Sequence, residues 1–277
     1  MKEHDEFYIG WQDKASPVYT GARRVFFWIS FFVMISFGIL YLAFEKPFID
    51  SYFDYVNLTK LEGTVVEYPV FGLKTVVDNR TVTVPLVGFG KFDARPVLDK
   101  LRSKANGQSL GDFKVTLEGT LIQYREKTWM ELTEGEQSII SMDKTDRSAT
   151  QSIRSGGEQN ISGEIVDPKC FFGVMNPAWK KIHRSCAIRC ISGGIPPVLA
   201  VRDGEDFSDY YFVTNEAGRP VNKEVLQYVG IPLHLTGQVE QVDDWKVIKI
   251  NSRGLSSVRL DYSGWVSECR TAHTSHP

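Results

Sequence analysis

The sequence predicts a mainly β protein: one N-terminal transmembrane helix, then two tandem copies of a small barrel, the second with a Cys/His-bearing helical insertion. Three observations predict it. Val25 to Phe44 is a run of 20 residues without a charge. Two stretches of about 75 to 90 residues repeat the same order of short strands, glycines and a tryptophan. Three of the four cysteines, with one of the five histidines, fall in or just before the stretch by which the second copy is longer than the first.

The apolar run comes first. At 1.5 Å rise per residue it spans about 30 Å, the hydrocarbon thickness of a bilayer. Arg23 and Arg24 precede it, Glu45 and Lys46 follow, and the next basic residue is Lys60. The positive-inside rule then places residues 1–24 in the cytoplasm, residues 25–44 as the anchor, and residues 45–277 outside. A single-pass inner-membrane protein with periplasmic or otherwise extracytoplasmic domains is expected. No small-residue cleavage site follows the run, which argues for an anchor over a cleaved signal peptide. The stretch Ala22-Arg23-Arg24-Val25-Phe26-Phe27 resembles the twin-arginine export motif at Arg23, Arg24 and Phe26 and departs from it at Ala22 and Phe27. Two arginines that only hold the inner end of the anchor explain the same residues.

Beyond the anchor, short alternating or apolar runs bounded by Gly, Pro, Asn and Asp read as strands. LEGTVVEYPVFGL (61–73) parallels ISGEIVDPKCFFGV (161–174), and VTLEGTLIQYREKTWMEL (115–132) parallels LHLTGQVEQVDDWKVIKI (233–250). Between them each copy has an Arg-Pro-Val start to a helix-like segment, DARPVLDKLRSK (93–104) and GRPVNKEVLQYVG (218–230). Proline suits a first helical turn, where its missing N–H has no partner to lose. The order is three strands, a short helix and two strands, that of a five-stranded OB-like barrel. The first barrel is expected over 61–134 and the second over 161–252. Residues 135–160, rich in Ser, Thr, Gln and Gly, read as a linker or long loop, with Ile139 and Ile140 as a docking pair. Residues 253–277 read as a tail.

Gly63 and Gly119 stand 56 positions apart; Gly163 and Gly237 stand 74 apart, a difference of 18. The excess fits Met175–Ser192, which holds His183, Cys186 and Cys190, with Cys170 just before it. If PAWKKIHRSCAIRC is helical, those three residues share a face at i, i+3 and i+7. Cys170, expected at the end of the preceding strand, meets that face. Three chemistries suit the set. One is a disulfide, worth about 3 kcal/mol for a closed loop of roughly 15–20 residues in the chain-entropy account. Another is a Cys3His site for zinc or copper. The third is a reactive thiol among Lys180, Lys181, Arg184 and Arg189. Cys269, His273 and His276 in the tail are additional candidate ligands.

Cys170, Phe172-Gly173, His183-x2-Cys186-Ala187-x2-Arg189-Cys190 and Gly194-Ile195-Pro196 together resemble a pattern in uncharacterised bacterial envelope proteins with an OB-like domain. The resemblance covers the second barrel only, about a third of the chain. It implies a shared site, and no activity.

The chain is 24% charged with a formal net charge of −2. No basic surplus marks a nucleic-acid partner. Motifs for covalent haem, a Rieske cluster, thioredoxin chemistry, phosphate loops and serine or zinc hydrolases are absent. Asp203, Glu205, Asp206 and Asp209 read as a solvated turn. The reading favours a binding or accessory protein over an enzyme: an anchored subunit or assembly factor of an envelope redox or metal-handling complex with a protein partner. Its rivals are a disulfide-stapled interaction module and a thiol–disulfide redox protein.

Overall fold

The computed structural model describes residues 17–44, 51–77, 79–145, 150–173, 175, 177–203, 206–251 and 259–260. Two compact units divide the chain, Met1–Phe48 and Ile49–Pro277. The first holds helix α1, Pro17–Phe44. Its segment Thr20–Phe44 has a mean hydropathy of 2.3, and none of it is buried against protein. Such a helix, unburied among the described residues, is long and apolar enough to cross a membrane. It starts eight residues before the run of 25–44, with Pro17 in the first turn, where its missing N–H has no intrahelical partner to lose.

The second unit contains two closed barrels. In the first, β2 (Thr59–Val66), β3 (Gly72–Val77), β4 (Arg80–Gly88), β5 (Phe113–Tyr124) and β6 (Lys127–Leu132) join in the circuit β2-β3-β4-β6-β5-β2. All pairs are antiparallel except β4 with β6, which run parallel with Leu86 opposite Met130. Helix α2, Arg95–Ala105, lies between β4 and β5 and buries Val97, Leu101 and Ala105. Those side chains close the barrel end over Leu73, Val84, Leu117 and Met130. Strand β1 (Ser51–Phe53) adds to β5 outside the circuit.

The second barrel repeats the circuit. Strands β8 (Ile153–Val166), β9 (Val198–Asp203), β10 (Asp206–Asn215), β11 (Pro232–Val242) and β12 (Trp245–Ile250) join as β8-β9-β10-β12-β11-β8. Again the third and fifth strands are the parallel pair, with Tyr211 opposite Lys246. A Cβ on Gly63 would stand 2.3 Å from the Lys74 carbonyl oxygen, and one on Gly163 would stand 2.6 Å from that of Ala200. The repeated glycines thus let the first two strands of each barrel cross at close range.

Three expectations change. Residues 135–160 are not a free loop: Ile139–Lys144 forms β7, paired with β5, and β8 already begins at Ile153. Ile139 and Met142 pack against the first barrel core, which holds a segment whose composition alone looks unstructured. Ile140 points to solvent. The helix expected over 218–230 reduces to a 3-10 turn at Leu226–Tyr228. There Asn222 donates its amide to the carbonyls of Ile191 (2.8 Å) and Ile195 (2.7 Å), so the insertion sets the path of this segment instead of a helical repeat. In the tail, Arg259–Leu260 forms β13 on β11.

The barrels pack on each other through an aromatic core. Trp129 of the first barrel and Trp245 of the second occupy equivalent places in the repeat, and their rings meet edge to face at 5.6 Å. Phe172 stacks on Trp129 at 5.8 Å, and Phe212 lies 5.6 Å from it. The Trp245 Nε1–H donates to the Thr83 carbonyl at 2.8 Å, across the junction. Around this core Tyr68 donates to Glu240 (2.6 Å) and Lys74 pairs with Asp243 (2.9 Å).

Candidate metal centre

The insertion lies between β8 and β9. It contains a short helix α3, Pro168–Phe172, and helix α4, Lys180–Ser192. Asp167 caps α3 by accepting the Lys169 N–H on Oδ1 at 3.0 Å. Cys170 therefore sits on a helical turn and not on a strand end. Proline at the first position and an Asp cap make that turn favourable locally. Helix α4 starts three residues after Pro177, where the buried Glu164 carboxylate accepts the Lys180 N–H. It ends at Gly193, whose N–H donates to the carbonyls of Arg189 and Cys190.

Helix α4 has two buried sides. Ala187 and Ile191 enter the core of the second barrel. His183, Cys186 and Cys190 share the side that faces Cys170, as the i, i+3, i+7 spacing predicts. The four do not form one mutually close set. They divide into two triads that share Cys170. Cys170, His183 and Cys186 bring one ligand atom each within 4.8 Å of one another, and so do Asp167, Cys170 and Cys190. Asp167 carries no signal in the sequence beyond its place before Pro168.

All three described cysteines are free thiols, and no pair of them lies at disulfide bonding distance. Cys269, His273 and His276 lie outside the described residues, as does Glu205 of the acidic turn. Asp209 of that turn pairs with Lys246 at 2.7 Å. His234 bonds Ser162 at 2.7 Å, in the sheet, and belongs to neither cysteine group.

No family model, curated protein or solved structure matches this chain. The site must be read from its own chemistry.

Two of its polar atoms are buried without a hydrogen-bond partner among the described residues: Nε2 of His183 and Oδ2 of Asp167. Buried polar atoms are seldom left unpaired, since each costs about 1–3 kcal/mol. Burial pushes the His183 pKa down, and the Lys91 ammonium pushes it further, while Asp167 opposes both. The shift favours the neutral imidazole, the form in which histidine binds a metal. The Cys170 thiol is pushed strongly up, by its hydrogen bond with Cys190, by burial and by the Asp167 charge. A metal that binds there must displace that proton, as thiolate ligation always requires.

The first barrel supplies a cation that the sequence reading overlooked. Lys91, in the turn after β4, places its Nζ 2.8 Å from Cys186 Sγ and 3.7 Å from Cys190 Sγ. The Cys186 contact holds the lysine pKa above its usual value. The turn is clamped by Lys169, whose Nζ donates to the carbonyls of Gly88 (2.8 Å) and Gly90 (2.6 Å) and pairs with buried Glu131 at 3.0 Å. Gly193 and Gly194 make room for it. A Cβ on Gly193 would stand 1.9 Å from the Lys91 carbonyl oxygen, and one on Gly194 would stand 2.3 Å from Asp93 Oδ2. The Gly pair at the end of α4 is also the seat of the first barrel's loop.

Proposed function

We propose that this chain is a membrane-anchored, extracytoplasmic metal-binding accessory protein, serving as a subunit or assembly factor of an envelope redox or metal-handling system. Zinc or copper is the metal, and Cys170, His183 and Cys186 are its first ligands. The observation that carries this reading is the buried His183 imidazole, unpaired at Nε2, grouped with two free thiols. Thiolate with imidazole is a donor set for Zn(II) and Cu(I). Lys91 supplies a positive charge beside the sulfurs, which offsets the excess negative charge of ligated thiolates. The anchor keeps the site at a membrane surface, where a partner in the same bilayer meets it in two dimensions.

The test is metal content and free-thiol count on the full chain purified in detergent without chelator. Bound zinc or copper, present in lower amount in Cys186→Ser and His183→Ala, is expected. No metal with three fast-alkylating thiols moves the protein to thiol redox chemistry. No metal with blocked thiols makes the insertion a disulfide staple.

A further inference from the structure

The division of the ligands into two triads has a consequence for stoichiometry. We infer that the insertion holds two metal ions, bridged by the Cys170 sulfur: one on Cys170, His183 and Cys186, the other on Asp167, Cys170 and Cys190. The inference rests on the metal reading above and extends it to a second position with a carboxylate ligand.

Each triad contains one side chain that is almost wholly buried and has an unpaired polar atom. His183 is 4% exposed and Asp167 is 0% exposed. A single ion on the first triad brings Asp167 no metal partner, and a single ion on the second brings His183 none. An ion on each triad gives both side chains one. Cys170 belongs to both triads, and a thiolate sulfur has lone pairs enough to bind two metals at once.

Charge allows the second ion. Three thiolates and Asp167 would carry four negative charges in a largely buried space, where an uncompensated charge is costly. With the Lys91 ammonium beside Cys186, one divalent ion leaves the group one charge negative and two leave it one charge positive, so the two loadings are equally balanced. Lys91 touches Cys186 of one triad and approaches Cys190 of the other, so its charge serves both positions. The carboxylate at the second position selects a borderline divalent ion such as Zn(II) over Cu(I), which prefers soft donors.

The experiment loads the full chain in detergent with Zn(II), removes excess ion, and measures zinc per protein. Two equivalents are expected in the unaltered protein. Asp167→Ala and His183→Ala are each expected to retain one, and Cys269→Ser to retain two. One equivalent in the unaltered protein overturns the bridged pair while leaving the metal function standing. None overturns both. Two equivalents, one of them lost in Cys269→Ser, assigns the second ion to the tail and overturns the inference. Cadmium-113 exchanged into the unaltered chain decides the case even if a variant fails to fold. Two resonances with mutual scalar coupling through Cys170 are expected, and two uncoupled resonances refute the bridge.

Discussion

Among single residues, Glu164 shows most clearly how burial around the insertion acts on stability. Burial pushes its carboxyl pKa up to about 7, against the weaker opposing effect of the Lys180 N–H it accepts. In the unfolded chain its pKa is the ordinary 4.5. Between these values the folded protein holds a proton that the unfolded chain has lost. Stability from this group is therefore present at pH 4.5 and falls as pH rises to 7, by at most about 3 kcal/mol. Glu164→Gln keeps an acceptor for Lys180 and removes the titration. Urea unfolding at pH 5 and pH 8 should show the variant more stable than the parent at pH 8, with the two nearly equal at pH 5. An unchanged difference between the two pH values would sink the burial account. No spacing in the sequence marks Glu164 as buried, because its position beside Gly163 reads as an ordinary strand residue.

At the scale of elements, α4 was legible. Its length, the shared face of His183, Cys186 and Cys190, and its Gly-Gly stop all follow from local pattern. What the pattern omits is the second use of that stop. Gly193 is the point where the first barrel's loop touches the second barrel's helix. Gly193→Ala forces that loop away from the site. A loss of about 1–3 kcal/mol is expected from the overpacking, together with weaker metal retention, because Lys91 moves with its backbone. Thermal melts and zinc release to a chelator measure the two effects. A variant with parental stability and release rate would show that the loop is not seated there. The helix expected over 218–230 failed for a related reason. Asn222 is more useful to the molecule as a donor to the carbonyls beyond α4 than as a helical residue, and tertiary contact outweighs weak propensity.

Considered whole, the two barrels are one body with the site at their junction. The core that joins them includes Trp129, Phe172, Phe212 and Trp245, drawn from both repeats. Trp129→Ala is expected to cost about 3–5 kcal/mol, as for other large buried aromatics. It should also loosen the insertion, since Phe172 of α3 stacks on that ring. Denaturant curves followed by tryptophan fluorescence and by far-ultraviolet circular dichroism should coincide in the parent, with a single transition. Two separated transitions in the parent would mean that the shared core does not couple the barrels.

The sequence by itself determined the apolar helix, the barrel type and its duplication, and the placement of two cysteines and a histidine in an addition to the second copy, with a third cysteine just before it. Those features are local or periodic: a charge-free run, alternation, repeated glycines and a length difference are all visible in one dimension. Only the tertiary structure decided that the barrels share a core, that Cys170 lies on a helical turn, and that Asp167, Lys91 and Lys169 belong to the same neighbourhood. Lys91 and Cys186 are 95 positions apart in the chain and 2.8 Å apart in space. No periodic signal links them, because the contact is made by the packing of two bodies and not by the geometry of either strand or helix alone.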